Sequence, residues 1–223
     1  MTLLESIEAR HSVRRYIHNP LNREIIDILQ AKIEECNKLG NLKIQLVTNE
    51  LRAFSGAFAY GQFSGVENYL VMVGRKAEDL DYRVGYYGEQ LVLLAQQLEL
   101  NTCWAGLSYR KVKDAYQVEE GEKIACMISL GYGNELGRNL KRKTVQEVSN
   151  ATSTTPEWFI RGVKAALQAP TAINQQKFHF KYVAPNQVKA TKGFSLVGYT
   201  QMDLGIAMLH FEIGAGTENF NWI

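Results

Sequence analysis

The amino-acid sequence predicts an α/β or α+β fold in which helices pack in layers against a β-sheet. Segments with strand-like patterns, such as residues 41–49 and 177–184, are interspersed with segments of helical periodicity. Of the 223 residues, 46% are hydrophobic and 22% are charged, which is typical of a globular chain that can bury a core. Strands that alternate with helices along one chain favour a layered fold.

The helices are predicted from apolar periodicity and from residues that start or stop helices. Asn22 is a helix-capping residue type, and Gly40 is a residue that ends helices, so together they delimit a helix between them. Thr155 as the cap and Pro156 as the first helical residue begin another. The predicted helices are residues 3–10, 23–40, 84–100, 111–118, 157–169 and 202–216.

The strands are predicted from alternating or continuous apolar runs. They cover residues 41–49, 68–75, 122–133 and 177–184, with a short buried segment at 101–108 and a short apolar one at 194–200. We predict loops at residues 139–148 and 186–193.

The polar stretch 149–158 marks the best boundary along the chain, and it divides the sequence into halves at 1–150 and 151–223. Residues 86–106 and 201–222 share a pattern of acid or amide, apolar helix, small residues and an aromatic. This echo indicates an internal duplication, and chance similarity is the alternative.

Charge and cysteine content exclude several classes of function. The net charge of +2 gives no electrostatic case for a nucleic-acid or membrane-surface partner. The three cysteines show no C-x-x-C spacing, so we expect reduced thiols, no metal site and a cytoplasmic location. The sequence shows no run of 18 apolar residues, and we expect neither a membrane span nor a signal peptide.

The N-terminal stretch "RHSVRRY", residues 10–16, concentrates basic side chains in a nearly neutral chain. Arg10, His11 and Arg14 surround the hydroxyl of Ser12, and such a set of donors suits a phosphate group. The alternative is a solvated basic loop in which Ser12 caps a local turn.

The stretch "APTAINQQKFHF", residues 169–180, follows a predicted helix that Pro170 ends. Small residues here allow a ligand to approach the backbone, and hydroxyl and amide groups can both donate and accept hydrogen bonds. A flat heterocycle edged with carbonyls and ring nitrogens fits this chemistry, and a polar loop is the alternative. The candidate residues are Pro170, Thr171, Ala172, Asn174 and Gln176.

Two further stretches carry candidate residues. In "TCWAGLS", Ala105 and Gly106 leave backbone N–H groups with little side chain in the way, or else form a buried turn. Lys141, Arg142 and Lys143 form a second basic cluster, for which a charged surface loop is the alternative.

Taken together, these four stretches resemble one family, the FMN-dependent nitroreductases, which include flavin reductases and NADH oxidase-like proteins. Their R-x-S-x-R-x-F/Y motif is met by Arg10, Ser12, Arg14 and Tyr16. The helix leading into C-W-x-G and the late basic run are also similar. Their A-P-S-A-x-N-x-Q-P-W motif is met by Ala169, Pro170, Thr171, Ala172, Asn174 and Gln176.

The chain departs from the common family pattern in two ways. Lys177 and Phe178 stand where the family has Pro and Trp. The A-P-S-A-x-N-x-Q element normally follows the first long helix, but here it comes some 130 residues later. This order is similar to a smaller subgroup of nitroreductases first known from a thermophilic bacterium.

The resemblance implies a three-layer α/β/α fold and a site for FMN. Arg10 and Ser12, with His11 nearby, would hold the phosphate with Arg142 and Lys141. Arg14 would lie nearer the pyrimidine edge of the flavin. Ala105 and Gly106 would face its N5 and O4 side, and Thr171 and Asn174 would close the opposite wall. No side chain is expected to act as a general acid or base, and His179 and His210 are expected to be structural.

The implied function is an oxidoreductase that passes electrons from NADH or NADPH through FMN to a small-molecule acceptor, such as a nitroaromatic, a quinone or a flavin. A flavin-binding protein with little turnover is one alternative, and a phosphate-binding module without flavin is another. Each half of the chain retains the motif that the other lacks. We therefore expect a monomeric pseudo-dimer made of two fused half-repeats, with an ordinary homodimer as the alternative.

Overall fold

A computed structural model describes residues 1–56, 62–135, 137 and 140–223. Asn139, the first residue of the predicted loop 139–148, lies outside the described residues. The chain forms two compact units, each assembled from segments that are distant in sequence. Unit 1 comprises Met1–Glu8, Asp81–Gln90 and Asn139–Ile223, and unit 2 comprises Ala9–Leu80 and Leu91–Arg138. Among the described residues, no helix is both long and apolar enough to cross a membrane.

Unit 2 is built on an antiparallel sheet whose strands lie in the order β1-β2-β4-β3. The central strand β2 is buried on both faces, which explains its nearly continuous apolar sequence. The strands are β1 (Gln45–Val47), β2 (Asn68–Arg75), β3 (Asn101–Ala105) and β4 (Glu122–Gly131).

Two apolar clusters of the described residues contribute to the core of unit 2. One contains Tyr69, Val71 and Val73 of β2 together with the edge-to-face rings of Phe54 and Phe63. The other cluster lies against helix α2 (Arg23–Gly40) and includes Leu29, Leu100 and Leu130. As predicted, the side chain of Asn22 caps α2 by accepting from the Ile25 N–H at 2.8 Å.

Unit 1 contains most of the remaining helices and a three-stranded sheet in the order β5-β6-β7. Helix α3 (Leu80–Gln97) contributes its first half to this unit and its second half to unit 2. The other elements are α1 (Leu3–Ala9), α4 (Val145–Val148), α5 (Glu157–Ala166), β5 (Phe178–Val183), β6 (Gln187–Lys192), α6 (Thr200–Ala215) and β7 (Asn221–Trp222).

Helix α6 is apolar around most of its circumference, and most of its residues are buried. The ring of Phe211 stacks on that of Phe180 with centroids 4.7 Å apart and also contacts Phe159. Gly162 of α5 leaves room for this ring, because a Cβ there would lie 2.8 Å from it. Helix α6 is therefore the central element of unit 1.

The first half of α3 meets α6 through two glycines in a reciprocal arrangement. A Cβ on Gly85 would lie 2.1 Å from the carbonyl oxygen of Met202, and a Cβ on Gly205 would lie 2.2 Å from that of Tyr82. Each glycine thus faces the carbonyl of the residue that lies three positions before the glycine on the other helix. Exchange of the two helices reproduces the same pair of contacts, as an isologous interface would.

Most predicted elements are present, but four local predictions are wrong. Residues 111–118 are not helical, and the Tyr116 hydroxyl accepts the Val112 N–H at 3.0 Å. Residues 187–192 form strand β6, in which the buried Val188 alternates with exposed lysines. Residues 145–148, within the predicted loop 139–148, form the short helix α4, which the Thr144 side chain caps by accepting the Glu147 N–H. Helix α5 is capped at Pro156, and the Thr155 hydroxyl accepts from the Thr152 N–H instead.

We predict that Gly205→Ala destabilises the protein, because the new methyl group would overlap the Tyr82 carbonyl on a buried helix. Overpacking of this kind typically costs about 1–3 kcal/mol. Gly193→Ala is the matched control, since its Cβ would lie 3.5 Å from the nearest atom, an ordinary contact. Urea unfolding of both variants tests this, and equal stabilities would contradict the tight contact.

Candidate functional site

The N-terminal segment that bears Arg10, Ser12 and Arg14 runs beside strand β3 of unit 2. The Val13 N–H donates to the Thr102 carbonyl at 3.0 Å, so the motif runs beside the strand. Burial raises the pKa of the Cys103 thiol, while Arg14, the Ser12 hydroxyl and Arg10 act to lower it. The Ser12 hydroxyl thus lies within hydrogen-bonding range of Cys103, and the charges of Arg10 and Arg14 lie within electrostatic range of it.

Tyr16 anchors the end of this motif in the core of unit 2. Its hydroxyl donates to the Val13 carbonyl at 2.7 Å and lies 2.8 Å from the Ser129 hydroxyl. Burial raises the pKa of this phenol well above its ordinary value. The aromatic position of the R-x-S-x-R-x-F/Y pattern thus holds the arginine-bearing segment in place.

His11 and Glu135 support the same segment. The Glu135 carboxylate accepts the backbone N–H of Arg14. The two ring nitrogens of His11 lie 3.2 Å from the Ala9 carbonyl and 3.3 Å from that of Glu135. A Cβ on Gly137 would lie 2.9 Å from the His11 ring. The imidazole is thus already engaged by backbone groups of its own unit.

Ala105 and Gly106 lie where β3 ends. Ala105 is buried and pairs with Met127, the last pair of this ladder. Gly106 follows as a partly exposed bend. The backbone N–H groups of Ala105 and Gly106 therefore lie at the end of the strand beside which the N-terminal motif runs.

The second group of candidate residues forms a compact loop in unit 1. The Asn174 side-chain amide donates to the Lys141 carbonyl at 2.8 Å. The buried side-chain amide of Gln176 donates to the Leu167 carbonyl at 3.1 Å and accepts the backbone N–H of Lys143 at 2.8 Å. The Lys143 ammonium donates to the Gln176 carbonyl at 2.6 Å, and burial lowers its pKa. The Lys143 side chain is thus directed toward the loop rather than toward solvent.

The loop contains three non-glycine residues in the left-handed backbone region. Their φ angles are 47° at Ile173, 57° at Asn174 and 46° at Gln176. Such conformations cost free energy and persist only where the surroundings enforce them. Hydrogen bonds from the loop to Lys141, Lys143 and Leu167 provide part of that enforcement.

Asp203 of α6 also holds the loop in this conformation, and the sequence analysis did not identify it as a candidate residue. Its side chain is 3% exposed, accepts the Ala172 N–H at 3.0 Å and accepts from the Gln175 amide at 2.7 Å. Burial raises the pKa of this carboxyl to about 6, although both hydrogen bonds act to lower it. A single acid within the apolar run "MDLGIAML" was the available signal.

An exposed apolar segment lies beside this loop. The side chain of Gln175 also donates to the Gly198 carbonyl at 3.0 Å, which ties the loop to residues 193–199. There Phe194 is 82% exposed and Leu196 is 93% exposed, and Ile173 on the loop is 78% exposed. The predicted apolar segment 194–200 is thus largely solvent-exposed.

Two histidines were expected to be structural. His210 is fully buried, with Nε2 at 2.9 Å from a Glu89 carboxylate oxygen and Nδ1 at 3.2 Å from the Ala165 carbonyl. It therefore joins α3, α5 and α6 within unit 1. His179 is an exposed residue of β5.

The structure sorts the predicted site residues into two groups, one in each unit. Unit 2 brings together Arg10, His11, Ser12, Arg14, Ala105 and Gly106. Unit 1 brings Lys141 together with Pro170, Thr171, Ala172, Asn174 and Gln176, while the Arg142 side chain lines a groove of the same unit.

A family model described as "Putative TM nitroreductase" matches residues 2–215. The chain belongs to this nitroreductase family. A search of curated protein sequences found no significant match.

Solved structures support the nitroreductase fold. A protein of Thermotoga maritima described as a putative nitroreductase aligns with a TM-score of 0.67 at 22% identity, over 98% of this chain and 85% of that one. A nitroreductase of Desulfovibrio desulfuricans in complex with FMN aligns with a TM-score of 0.53 at 17% identity, over 70% and 99%. A Clostridium acetobutylicum protein described as an NADH oxidase gives 0.51 at 19%, over 64% and 96%. At these identities the likeness is one of fold.

We predict that Asp203→Asn flattens the pH dependence of stability. A carboxyl whose pKa rises from 3.8 to about 6 on folding stabilises the folded state below about pH 4, and this contribution is lost as the pH rises through 6. The change amounts to at most about 3 kcal/mol. The free energy of unfolding at pH 4.5 and 7.5 should therefore differ less in the variant than in the parent.

Asp27→Asn, at a side chain that is 57% exposed, is the control and should keep the parental pH dependence. If Asp203→Asn also kept it, Asp203 would not titrate as a buried group.

Proposed function

We propose that this protein is an FMN-dependent oxidoreductase that transfers electrons from NADH or NADPH to a small-molecule acceptor. The observation that carries the proposal is that the segment bearing Arg10, Ser12 and Arg14 runs beside β3, the strand that leads to Gly106, in a chain of the nitroreductase family. The FMN complex of the Desulfovibrio relative adds support by analogy of fold.

The donor set in unit 2 fits a flavin mononucleotide. Two guanidiniums and one hydroxyl suit a phosphate monoester, because charge-assisted hydrogen bonds to phosphate are among the strongest in proteins. All three residues are partly exposed, so that a ligand can reach them. Lys141 and Arg142 are exposed cations that we propose as further phosphate ligands.

When bound, FMN would supply the chemistry by accepting a hydride from the nicotinamide and passing electrons to the acceptor. Arg10 and Ser12 would hold the phosphate, and Arg14 would place a fixed positive charge near the pyrimidine edge, where negative charge develops on reduction. Gly106 would offer a backbone N–H to the flavin. Thr171 and Asn174 would orient the flavin from a loop that Asp203 holds.

The contacts refine the expected roles of three residues. His11 and Gln176 use their side chains within their own units, so we assign them to shaping the site. Phe178 is buried against Phe180, with ring centroids 5.6 Å apart. Of Lys177 and Phe178, which could narrow the face of a bound flavin and so favour a flavin protein with little turnover, only Lys177 is exposed.

We predict that the purified protein is yellow and that heating releases FMN. Arg10→Ala should weaken FMN binding by roughly 10- to 150-fold, because a charge-assisted contact contributes about 1.5–3 kcal/mol. Fluorescence titration of the flavin-depleted protein measures the affinity, and oxidation of NADH or NADPH in a steady-state assay measures turnover.

Arg15→Ala is the matched control, because Arg15 is the exposed neighbour of the motif arginines and stands outside the R-x-S-x-R pattern. Release of FAD, or a colourless protein that takes up no FMN, would refute the proposal. Equal FMN affinities for the parent and Arg10→Ala would remove Arg10 from the site.

We further propose that one chain carries one FMN site as a fused pseudo-dimer. The reciprocal contacts of Gly85 and Gly205 support it, since they have the form of a dimer interface. The Desulfovibrio relative also aligns over 99% of its own length but only 70% of this chain, as expected if this chain is longer than one ordinary subunit.

Light scattering and the flavin content test this assembly. We expect a monomer that binds one FMN per chain, and a mixture of Asn174→Ala and Arg10→Ala chains that regains no activity. A dimer in which the two variants restore each other would show that sites are shared between chains, and the pseudo-dimer would be wrong.

A further inference from the structure

Unit 1 contains a groove of about 500 Å³ between the faces of two helices. Helix α1 lines it with Leu4, Ile7 and Glu8, which follow the i, i+3, i+4 spacing of one helical face. Helix α5 and the residues just after it line the other side with Arg161, Lys164, Ala165, Leu167 and Gln168. A groove of this size is typical of sites for organic ligands.

Three cations enter this groove without ion-pair partners. Arg161 and Lys164 project from α5, and Arg142 comes from the loop before α4. Among the described residues, none of the three pairs with a carboxylate, although Glu8 lines the same groove. Uncompensated positive charge in a concave surface attracts anions.

The rest of the lining is not that of a simple ion site. The half-exposed Leu4 and the mostly buried Ile7, Ala165 and Leu167 form an apolar wall, and Gly214 also lines the groove. A Cβ on Gly214 would lie 2.6 Å from that of Ala165, so the glycine lets α6 pack closely under α5. The wall offers a surface on which a flat apolar group can lie.

The two remaining polar side chains complete the pattern. The Glu8 carboxylate can accept hydrogen bonds from hydroxyl groups, as acidic residues do from a ribose. The Gln168 amide can donate to and accept from the edge of a heterocyclic base. The cations of the groove thus match phosphates, and the carboxylate matches the hydroxyl groups of a sugar. The amide matches the edge of a base, and the apolar wall matches its face.

We propose that this groove binds a nucleoside diphosphate, with the phosphates on Arg161 and Lys164, the ribose at Glu8 and the base against the apolar wall. Arg142, already proposed as a ligand of the FMN phosphate, is not needed for this site. The site is distinct from the motif residues of unit 2 and does not depend on the proposed flavin chemistry. Its occupant is either a free nucleotide or the adenosine diphosphate half of a nicotinamide dinucleotide, which present the same groups.

Calorimetric titration with ADP tests the site, on protein kept in excess FMN so that any flavin site is filled. The double variant Arg161→Gln/Lys164→Gln should bind ADP about tenfold more weakly, equivalent to about 1.4 kcal/mol. Lys181→Gln/Lys189→Gln removes two exposed lysines from β5 and β6 of the same unit and should bind like the parent. Circular dichroism verifies that both variants are folded.

The outcomes separate the possibilities. Competition of NADH with ADP would assign the groove to the electron donor, and binding of ADP without such competition would assign it to a free nucleotide. No binding at millimolar ADP, or equal loss in both double variants, would overturn the proposal. Displacement of ADP as FMN is added to flavin-depleted protein would make the groove part of the flavin site, and a separate nucleotide site would be wrong. A protein that binds ADP but no flavin would refute the proposed function alone.

Discussion

The close approach of α6 to the first half of α3 is the constraint on which unit 1 depends. At both crossing points the neighbouring helix offers a carbonyl oxygen, and only a glycine fits against it. Glycine in a helix interior costs stability relative to alanine, so its presence at both positions indicates that the contact itself is required. Gly162 of α5 makes room for the Phe211 ring of α6, and Gly214 of α6 makes room for the Ala165 methyl group and the Arg161 carbonyl of α5, so α6 packs closely against both α3 and α5.

The same contact fixes the candidate loop. Met202, whose carbonyl meets Gly85, directly precedes Asp203, whose carboxylate holds Ala172 and Gln175. The position of the helix thus sets the position of the acceptor that keeps three residues in left-handed conformations. In unit 2 the corresponding anchor is Tyr16, which holds the arginine-bearing segment along β3. In each unit, the candidate residues are therefore held by a buried polar side chain.

Sequence patterns predicted the elements whose signals are local, such as α2 with its Asn22 cap and the buried strand β2. They missed β6, because among its lysines and polar residues only Val188 is buried. They predicted a helix at 111–118, where the Tyr116 hydroxyl takes the place of a backbone acceptor. The motif residues came from a family resemblance. The roles of Asp203 and Glu135 could not be predicted in this way, since each acts on backbone groups far away in the sequence. For Asp203, the acid within an apolar run signalled a special position but not its partners.

The interleaving of the two units has a consequence for synthesis of the chain. All of unit 2, from Ala9 to Arg138, emerges from the ribosome before the last segment of unit 1, residues 139–223, has emerged. The first eight residues and the first half of α3 must then wait, with apolar faces uncovered, until residues 139–223 arrive. Pairing of such distant segments is slow, and exposed apolar surface invites aggregation. The nascent chain should therefore depend on chaperones most between the emergence of α3 and that of α6.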